Sequence, residues 1–190
     1  MEQVFVERET FEKIDFTVRP LPTGEYEQCT FVNCDFSSAD LSEIKFFDCE
    51  FSSCNLSLAT LRKTVLREVS FRDCKMLGLH FEHCNAFGLS VSFEHCALDH
   101  SSFYQVKLKA TVFNSCQLRE VDFTQADLNG AGFDNCDLLG ATFENTILEK
   151  ANLTTAINYS INPETNRIKK AKFSLQGIAG LLDKYDIEIE

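Results

Sequence analysis

Large apolar residues recur every five positions along most of this chain, and the five-residue units group in fours to give a 20-residue period. Two residues before the large apolar anchor, the units repeatedly carry a small or modest side chain. A period of five fits neither the 3.6-residue repeat of an amphipathic helix nor the alternation of one long strand. Short strands joined by corners satisfy it if both the small residue and the anchor point inward. The pattern therefore predicts an all-β solenoid with four-sided coils that pair with the coils above and below.

Stacking the coils places equivalent anchors in four ladders, one for each side. The first side carries Phe31, Phe51, Phe71, Phe93, Phe113 and Phe133. The second side carries Phe36, Leu56, Met76, Leu98, Leu118 and Leu138. The third side carries Leu41, Leu61, Phe81, Phe103, Phe123 and Phe143. The fourth side carries Phe46, Leu66, Leu108, Leu128 and Leu148, with a gap near Ala86.

A ladder of cysteines follows the same period, except that the step from Cys74 to Cys96 is longer than the others by two. Its members are Cys34, Cys54, Cys74, Cys96, Cys116 and Cys136. They occupy the small position that Ala fills in other units, so we expect small core residues. The longer step coincides with the gap in the fourth ladder. It predicts a phase break, a bulge or small loop, over residues 84–92.

The two ends depart from the repeat, and we expect the β-helix to cover residues 1–157. Pro20, Pro22 and Gly24 interrupt the pattern, which predicts a partial first coil within residues 1–30 and a corner loop at about 18–26. Residues 158–190 are expected to leave the repeat as a C-terminal capping or dimerisation segment. Within it, Ser174 is a candidate N-cap for a short α-helix over about 174–185.

The open end of a solenoid exposes unpaired backbone groups and needs a cover. The C-terminal segment is either a simple cap or a cap that is also the interface of an end-to-end homodimer. The candidate dimer residues are apolar and follow the tail: Leu175, Ile178, Leu181, Leu182, Tyr185 and Ile187.

Composition gives no sign of an enzyme. The chain lacks the common nucleophile, phosphate-loop and zinc-protease motifs, so no catalytic residue and no cofactor is expected. Nine Cys without a CxxC motif, a signal-like N-terminus or an 18-residue apolar run favour the reducing cytoplasm and no membrane contact. The pairs His83-Cys84 and His95-Cys96 lack zinc-type spacing, so no metal is expected, although thiol or metal chemistry on the cysteine ladder remains an alternative.

Net charge is −11, which disfavours direct binding to nucleic acid. Residues 120–149 contain no Lys or Arg, and we take their acids as a candidate acidic surface: Glu120, Asp122, Asp127, Asp134, Asp137, Glu144 and Glu149. Over one and a half coils this charge density is of the order of that of duplex DNA. An alternative is that several of these Asp residues simply bind backbone groups at the corners.

Several units are close to the consensus A(D/N)LXX, as at residues 39–41, 126–128 and 151–153. In this the chain resembles the pentapeptide repeat family over roughly residues 11–157. The resemblance implies a right-handed, four-sided parallel β-helix. It says little about activity, because one fold serves many functions.

A narrower resemblance rests on residues 71–78 (FRDCKMLG), 92–96 (SFEHC), the phase break, and the tail motifs at 157–159, 173–175 and 186–189. In these the chain is similar to the gyrase-protecting members of the family, of the AlbG, McbG and Qnr type. That similarity implies a homodimer that binds DNA gyrase, in some cases also topoisomerase IV, and protects it from quinolones, albicidin or microcin-type toxins. The acidic surface would face gyrase by mimicking DNA.

Long loops of the Qnr type are absent from this sequence, so only the short breaks are available for their role. Phe87 and Leu89 in the second break are the candidate loop contacts. The alternative function is a general protein-interaction scaffold without a topoisomerase partner.

Overall fold

Residues 4–188 are described by the computed structural model, and they form a rod of stacked four-sided coils. The strands are Val4–Glu7 (β1), Thr10–Glu12 (β2), Gly24–Glu27 (β3), Thr30–Val32 (β4), Lys45–Phe47 (β5), Glu50–Ser52 (β6), Val65–Arg67 (β7), Val69–Arg72 (β8), Val91–Glu94 (β9), Val112–Asn114 (β10), Gly132–Asp134 (β11), Asn152–Leu153 (β12) and Lys172–Phe173 (β13). Three 3-10 turns complete the elements: Phe81–His83, Ile178–Leu181 and Asp183–Tyr185. No helix in residues 4–188 has the length and apolarity needed to cross a bilayer.

Two parallel sheets run along the rod. A nine-stranded sheet from β2 to β13 forms the first side, and β1, β3, β5 and β7 form the N-terminal part of the fourth side. Single bridges such as Ser102↔Asp122 continue the pairing on the other sides. Phe31 pairs with Phe51 of the next coil, and Phe71 pairs with Phe93 across the longer step, as the ladders require. The predicted all-β, four-sided parallel solenoid is therefore confirmed.

The core is a set of stacked rings. Along the first side, the ring centroids of Phe31 and Phe51 are 4.6 Å apart and the rings are nearly parallel. Neighbouring ladders meet edge to face, as Phe113 and Phe123 do at 6.1 Å. Both arrangements are favourable for aromatic pairs. All six predicted first-side Phe residues and all six predicted ladder Cys residues are buried.

Most corners turn on a residue in the left-handed region, and such residues recur every five positions over long stretches of the chain. Asn33, Ser38, Glu43 and Asp48 are examples, with φ between 52° and 63°. The amide of each donates to a carbonyl of the next coil, as from Asn33 N to Ser52 O at 2.9 Å. These inter-coil bonds hold a conformation that costs an ordinary L-residue roughly 1–2 kcal/mol.

The first coil is more regular than we predicted. Leu21 and Tyr26 are buried at the third-side and fourth-side anchor positions, and β3 begins at Gly24, so the corner loop ends by residue 23 rather than 26. The prolines lie before the strand and remove no sheet hydrogen bond. Tyr26 Oη also donates to the Pro22 carbonyl at 2.8 Å.

The prediction that residues 158–190 leave the repeat is wrong in part. Asn162 and Pro163 make an excursion, but Arg167 then bridges to Ile147 and β13 pairs with β12. Asn166 fills the buried small position. Its Nδ2 donates to the Phe143 carbonyl at 2.7 Å, and its Oδ1 accepts from Thr146 N at 2.8 Å. A satisfied amide therefore takes the place of the expected apolar residue.

The predicted α-helix over 174–185 is also wrong, because the segment forms two 3-10 turns. Ser174 does cap the chain: its Oγ accepts from Gly177 N at 3.0 Å. Gly177 and Gly180 press against Tyr159, where any Cβ would collide, and the Gly180 carbonyl accepts from Ile161 N. The two glycines allow this close packing against Tyr159, but they lower the helix propensity of the segment.

The phase break is narrower than the predicted 84–92. Cys84 is buried and Asn85 N still bonds to Thr64 O, whereas β9 has begun by Val91. The excursion from the fourth side therefore covers residues 85–90.

We expect Gly24→Ala to destabilise the protein by about 1–3 kcal/mol, because its Cβ would collide with the Val4 carbonyl oxygen and separate β1 from β3. Gly132→Ala is the matched control, since its Cβ would find only an ordinary contact, 3.6 Å from Asp134 Oδ2. Urea unfolding of both variants measures the effect. Equal midpoints would show that the first coil tolerates the displacement.

Candidate partner-binding surfaces

The predicted acidic residues do not share one side of the rod. Asp134 lies on the first side, Asp137 on the second, Asp122 and Glu144 on the third, Asp127 and Glu149 on the fourth, and Glu120 at a corner after the second side. These seven residues therefore do not give any single surface of the rod the charge density of duplex DNA.

Bases from adjacent coils neutralise part of the set. Lys109 Nζ is 3.2 Å from Asp127 Oδ2, Arg119 Nε is 2.7 Å from Asp137 Oδ2, and Arg167 Nη2 is 2.7 Å from Glu149 Oε1. In each pair the partners are nearly one coil apart in sequence, so the bases lie outside the 120–149 stretch yet next to it in space. A count of charges along residues 120–149 alone therefore does not reveal these three basic residues.

Several of the Asp residues also bind backbone amides two positions later, as the corner alternative supposed. Asp122 Oδ1 accepts from Thr124 N at 2.8 Å. Asp137 does the same with Leu139 N at 3.2 Å. Partial burial raises the pKa of Asp137, but hydrogen bonds from Asn158 and Arg119 outweigh it and hold that pKa below its ordinary value. Both carboxylates therefore serve the fold as well as the surface.

The third side remains acidic when these ion pairs are taken into account. From residue 79 to residue 145 its four units, 79–83, 101–105, 121–125 and 141–145, contain no Lys or Arg. Among residues 4–188, neither Asp122 nor Glu144 has a basic group within ion-pair distance. We call this surface the acidic side, and it also contains Glu82.

The loop at the phase break, residues 85–90, is called the break loop, and it places Phe87 in a column with Phe47 and Arg67 of the preceding coils. Phe87 is 80% exposed, whereas Leu89 is partly buried against the core. The guanidinium of Arg67 lies between two rings, with Cζ 5.2 Å from the Phe47 centroid and 5.8 Å from that of Phe87. Of the two predicted loop contacts, Phe87 is thus available to a partner and Leu89 anchors the loop.

Phe47 and Arg67 were not among the predicted site residues. The 20-residue spacing of Phe47, Arg67 and Phe87 is a signal that could have placed them in one column. Gly88, at φ 74°, lets the loop approach this column, since a Cβ there would lie 2.9 Å from Arg67 Nε.

The candidate dimer residues lie on and around the two C-terminal 3-10 turns. Leu175 is 84% exposed, and Ile178, Tyr185 and Ile187 are also exposed. Leu181 and Leu182 are half-buried, with Leu181 packed against the core. The segment is tied to the rod because Tyr185 Oη donates to Glu164 Oε1 at 2.9 Å and Lys184 pairs with Glu164. The tail thus presents a fixed apolar patch.

Two cysteines outside the predicted ladder, Cys49 and Cys84, are poorly suited to thiol chemistry. Burial raises the pKa of Cys49 and of Cys84 to about 12, so neither thiolate forms near neutral pH. All nine Cys are buried and unpaired in disulfides. Within the described residues 4–188, no group of three or more His, Cys, Asp or Glu side chains is arranged to hold a metal ion.

A family model described as "Pentapeptide repeat region" matches residues 25–88 and 78–156. The chain belongs to the pentapeptide repeat family. No curated protein matches it significantly in sequence.

Solved structures of the same architecture include HetL, a pentapeptide repeat protein involved in heterocyst differentiation regulation from Nostoc sp. strain PCC 7120. It is 17% identical, with a TM-score of 0.56, over 92% of this chain and 86% of that one. A trypsin-treated form of QnrB1, a plasmid-mediated fluoroquinolone resistance protein, is 24% identical over 99% and 98% of the two chains, with a TM-score of 0.47. At 17% identity the likeness to HetL establishes the fold alone, and the likeness to QnrB1 carries no conclusion.

Arg67→Ala should loosen the break loop while leaving the coils intact, because it removes two exposed cation–π contacts worth about 0.5–1 kcal/mol each. We expect faster chymotrypsin cleavage after Phe87 at an almost unchanged unfolding midpoint. Arg62→Ala is the control, an exposed arginine on the third side. Cleavage of both variants at the same rate would contradict a role for Arg67 in holding Phe87.

Proposed function

We propose that this protein is a non-enzymatic, cytoplasmic binding protein that engages DNA gyrase as a homodimer and protects it from topoisomerase poisons. The partner is suggested by residues 71–78, 92–96 and the tail motifs, which resemble the gyrase-protecting group of the family. The acidic side is the structural observation that carries the proposal.

A surface that binds duplex DNA must be basic, because it neutralises phosphates. The acidic side offers such a surface the carboxylates of Asp122 and Glu144 without a competing base on its own units. The nine stacked strands span about 38 Å at ~4.8 Å each, so the rod is long enough to occupy part of a DNA-binding surface. In this proposal the rod takes a place that DNA would hold near the drug-trapped complex.

The C-terminal patch supports a dimer in which two rods meet end to end. Leu175 and Ile178 are exposed apolar residues at the terminus nearest to Asp122 and Glu144. A two-fold axis through this patch would bring two acidic sides toward the centre of a longer particle. Steering by the summed charge would then speed association with a basic partner and make it sensitive to salt.

A second candidate function is a protein-interaction scaffold without a topoisomerase partner. The ion pairs of Asp127, Asp137 and Glu149 favour it, because they leave less free charge than the sequence suggests. The exposed ring of Phe87 would then be the main contact.

Purified gyrase inhibited by a quinolone should recover supercoiling when the wild-type protein is titrated in. The double variant Asp122→Asn, Glu144→Gln should need an about two- to thirtyfold higher dose, because each of the two charges contributes a few tenths to 1 kcal/mol. Raising the salt concentration should narrow the difference, since both charges are screened.

The matched control is Asp35→Asn, Asp134→Asn, which changes net charge equally on the second and first sides. It should act at the wild-type dose. Equal weakening of both doubles would reject the acidic side as the contact surface. No rescue against several poisons and no complex with gyrase would reject the gyrase proposal and leave the scaffold.

Leu175→Asp combined with Ile178→Asp should convert the dimer to a monomer in sedimentation velocity, because like charges would face each other across the two-fold axis. Val18→Asp combined with Leu58→Asp, two exposed apolar positions in the N-terminal half, is the control and should stay dimeric. Dimers of both variants would place the interface elsewhere, and a monomeric wild type would end this part of the proposal.

A further inference from the structure

The phase break opens a groove where the third and fourth sides meet. Residues 85–90 loop out from the fourth side between two bonds that hold their ends, from Asn85 N to Thr64 O and from Ser90 N to Leu66 O. No fully buried large anchor therefore stands between Leu66 and Leu108 in that ladder. The resulting groove has a volume of about 360 Å³ and is lined mainly by Phe81, Glu82, Leu89, Tyr104, Val106 and Lys107. It is the concave part of an otherwise convex rod surface in this region.

Glu82 gives the groove its chemical character. Its side chain is 20% exposed, and its Oε1 lies 2.9 Å from His80 Nδ1. Its Oε2 is buried and has no hydrogen-bond partner among residues 4–188. A buried carboxylate oxygen without a donor is costly, so a ligand that turns Oε2 toward the groove and supplies a donor gains more than a surface hydrogen bond would give.

We infer that this groove receives a basic side chain, an arginine or a lysine, of the protein partner. An anionic ligand would meet the carboxylate of Glu82, and a wholly apolar ligand would leave Oε2 unpaired. A long aliphatic stem that ends in several donors satisfies both parts of the groove. The stem packs on Phe81, Leu89 and Val106, and the cationic end donates to Glu82.

Tyr104 favours a guanidinium in particular. Its ring is 38% exposed at the groove, where a planar cation can lie against the aromatic face while its other N–H groups reach the carboxylate. The net charge of −11 adds a long-range attraction for a basic partner.

Two other titratable groups face this position. Lys107 lines the groove at its exposed rim and repels a cation, although solvent screens part of that repulsion. His80 contacts Oε1 of Glu82, so within residues 4–188 the buried Oε2 has no partner. Removing the charge of Lys107 should therefore strengthen binding of a cation.

The choice of a macromolecular partner rests on the proposed function, whereas the ligand chemistry of the groove can be tested without gyrase. The probe is Nα-acetyl-arginine N-methylamide, titrated into the ¹⁵N-labelled full chain and followed by NMR. We expect saturable shifts of the amides of Leu89, Tyr104 and Val106. The neutral citrulline analogue of the probe should produce none.

Glu82→Gln should weaken the probe at least about fivefold, since a charge-assisted hydrogen bond is lost, and Lys107→Met should strengthen it. Glu144→Gln, with the same charge change on the same side, is the control and should bind as the wild type does. Equal weakening by Glu82→Gln and Glu144→Gln, or shifts that do not saturate, would overturn the inference. If gyrase binding fails while the probe titration behaves as expected, the proposed function falls and the groove assignment stands.

Discussion

The left-handed corner at every fifth residue is the constraint on which the rest of the structure depends. Residues as different as Leu58, Lys63 and Glu120 adopt it, although none of them favours positive φ. What they share is an amide that donates to the next coil, as from Glu43 N to Arg62 O at 2.9 Å. A corner is therefore stable only when a coil lies beside it. This makes the rod cooperative from coil to coil and explains why one register holds from Phe11 to Phe173.

Apart from the acidic side, the partner surfaces identified here occur where that lattice is interrupted or ends. Two extra residues displace the chain over 85–90, which exposes Phe87 and uncovers the groove at Glu82. At the C-terminus the excursion before Asn166 and the turns that follow leave Leu175 exposed. Elsewhere the inward residues are fully committed to packing, so recognition falls to outward positions and to breaks. A repeat protein can thus gain a binding feature by a small insertion without losing its core.

The sequence predicts the coils well because the small residue and the anchor report directly on what is buried. It fails where a different chemistry fills the same position. Asn166 replaces a small apolar residue by satisfying its own amide, so the last coil was missed. Leu21 lies between two prolines that suggested a loop, although proline is harmless outside the ladder. The gap at Ala86 located the break, but no pattern indicated that Glu82 Oε2 would find no partner within residues 4–188.

Charge on a solenoid has to be counted by side and by coil, because neighbours in space are about one coil apart in sequence. Residues 120–149 contain acids but no Lys or Arg, which suggested a dense negative surface. Lys109, Arg119 and Arg167 nevertheless pair with three of these acids from almost a full coil away along the chain. The same rule connects Phe47, Arg67 and Phe87 at the 20-residue period. The columns of outward residues are the units that a partner meets. Because outward side chains carry little of the inter-coil bonding, a column can change its charge while the backbone lattice beneath it stays the same.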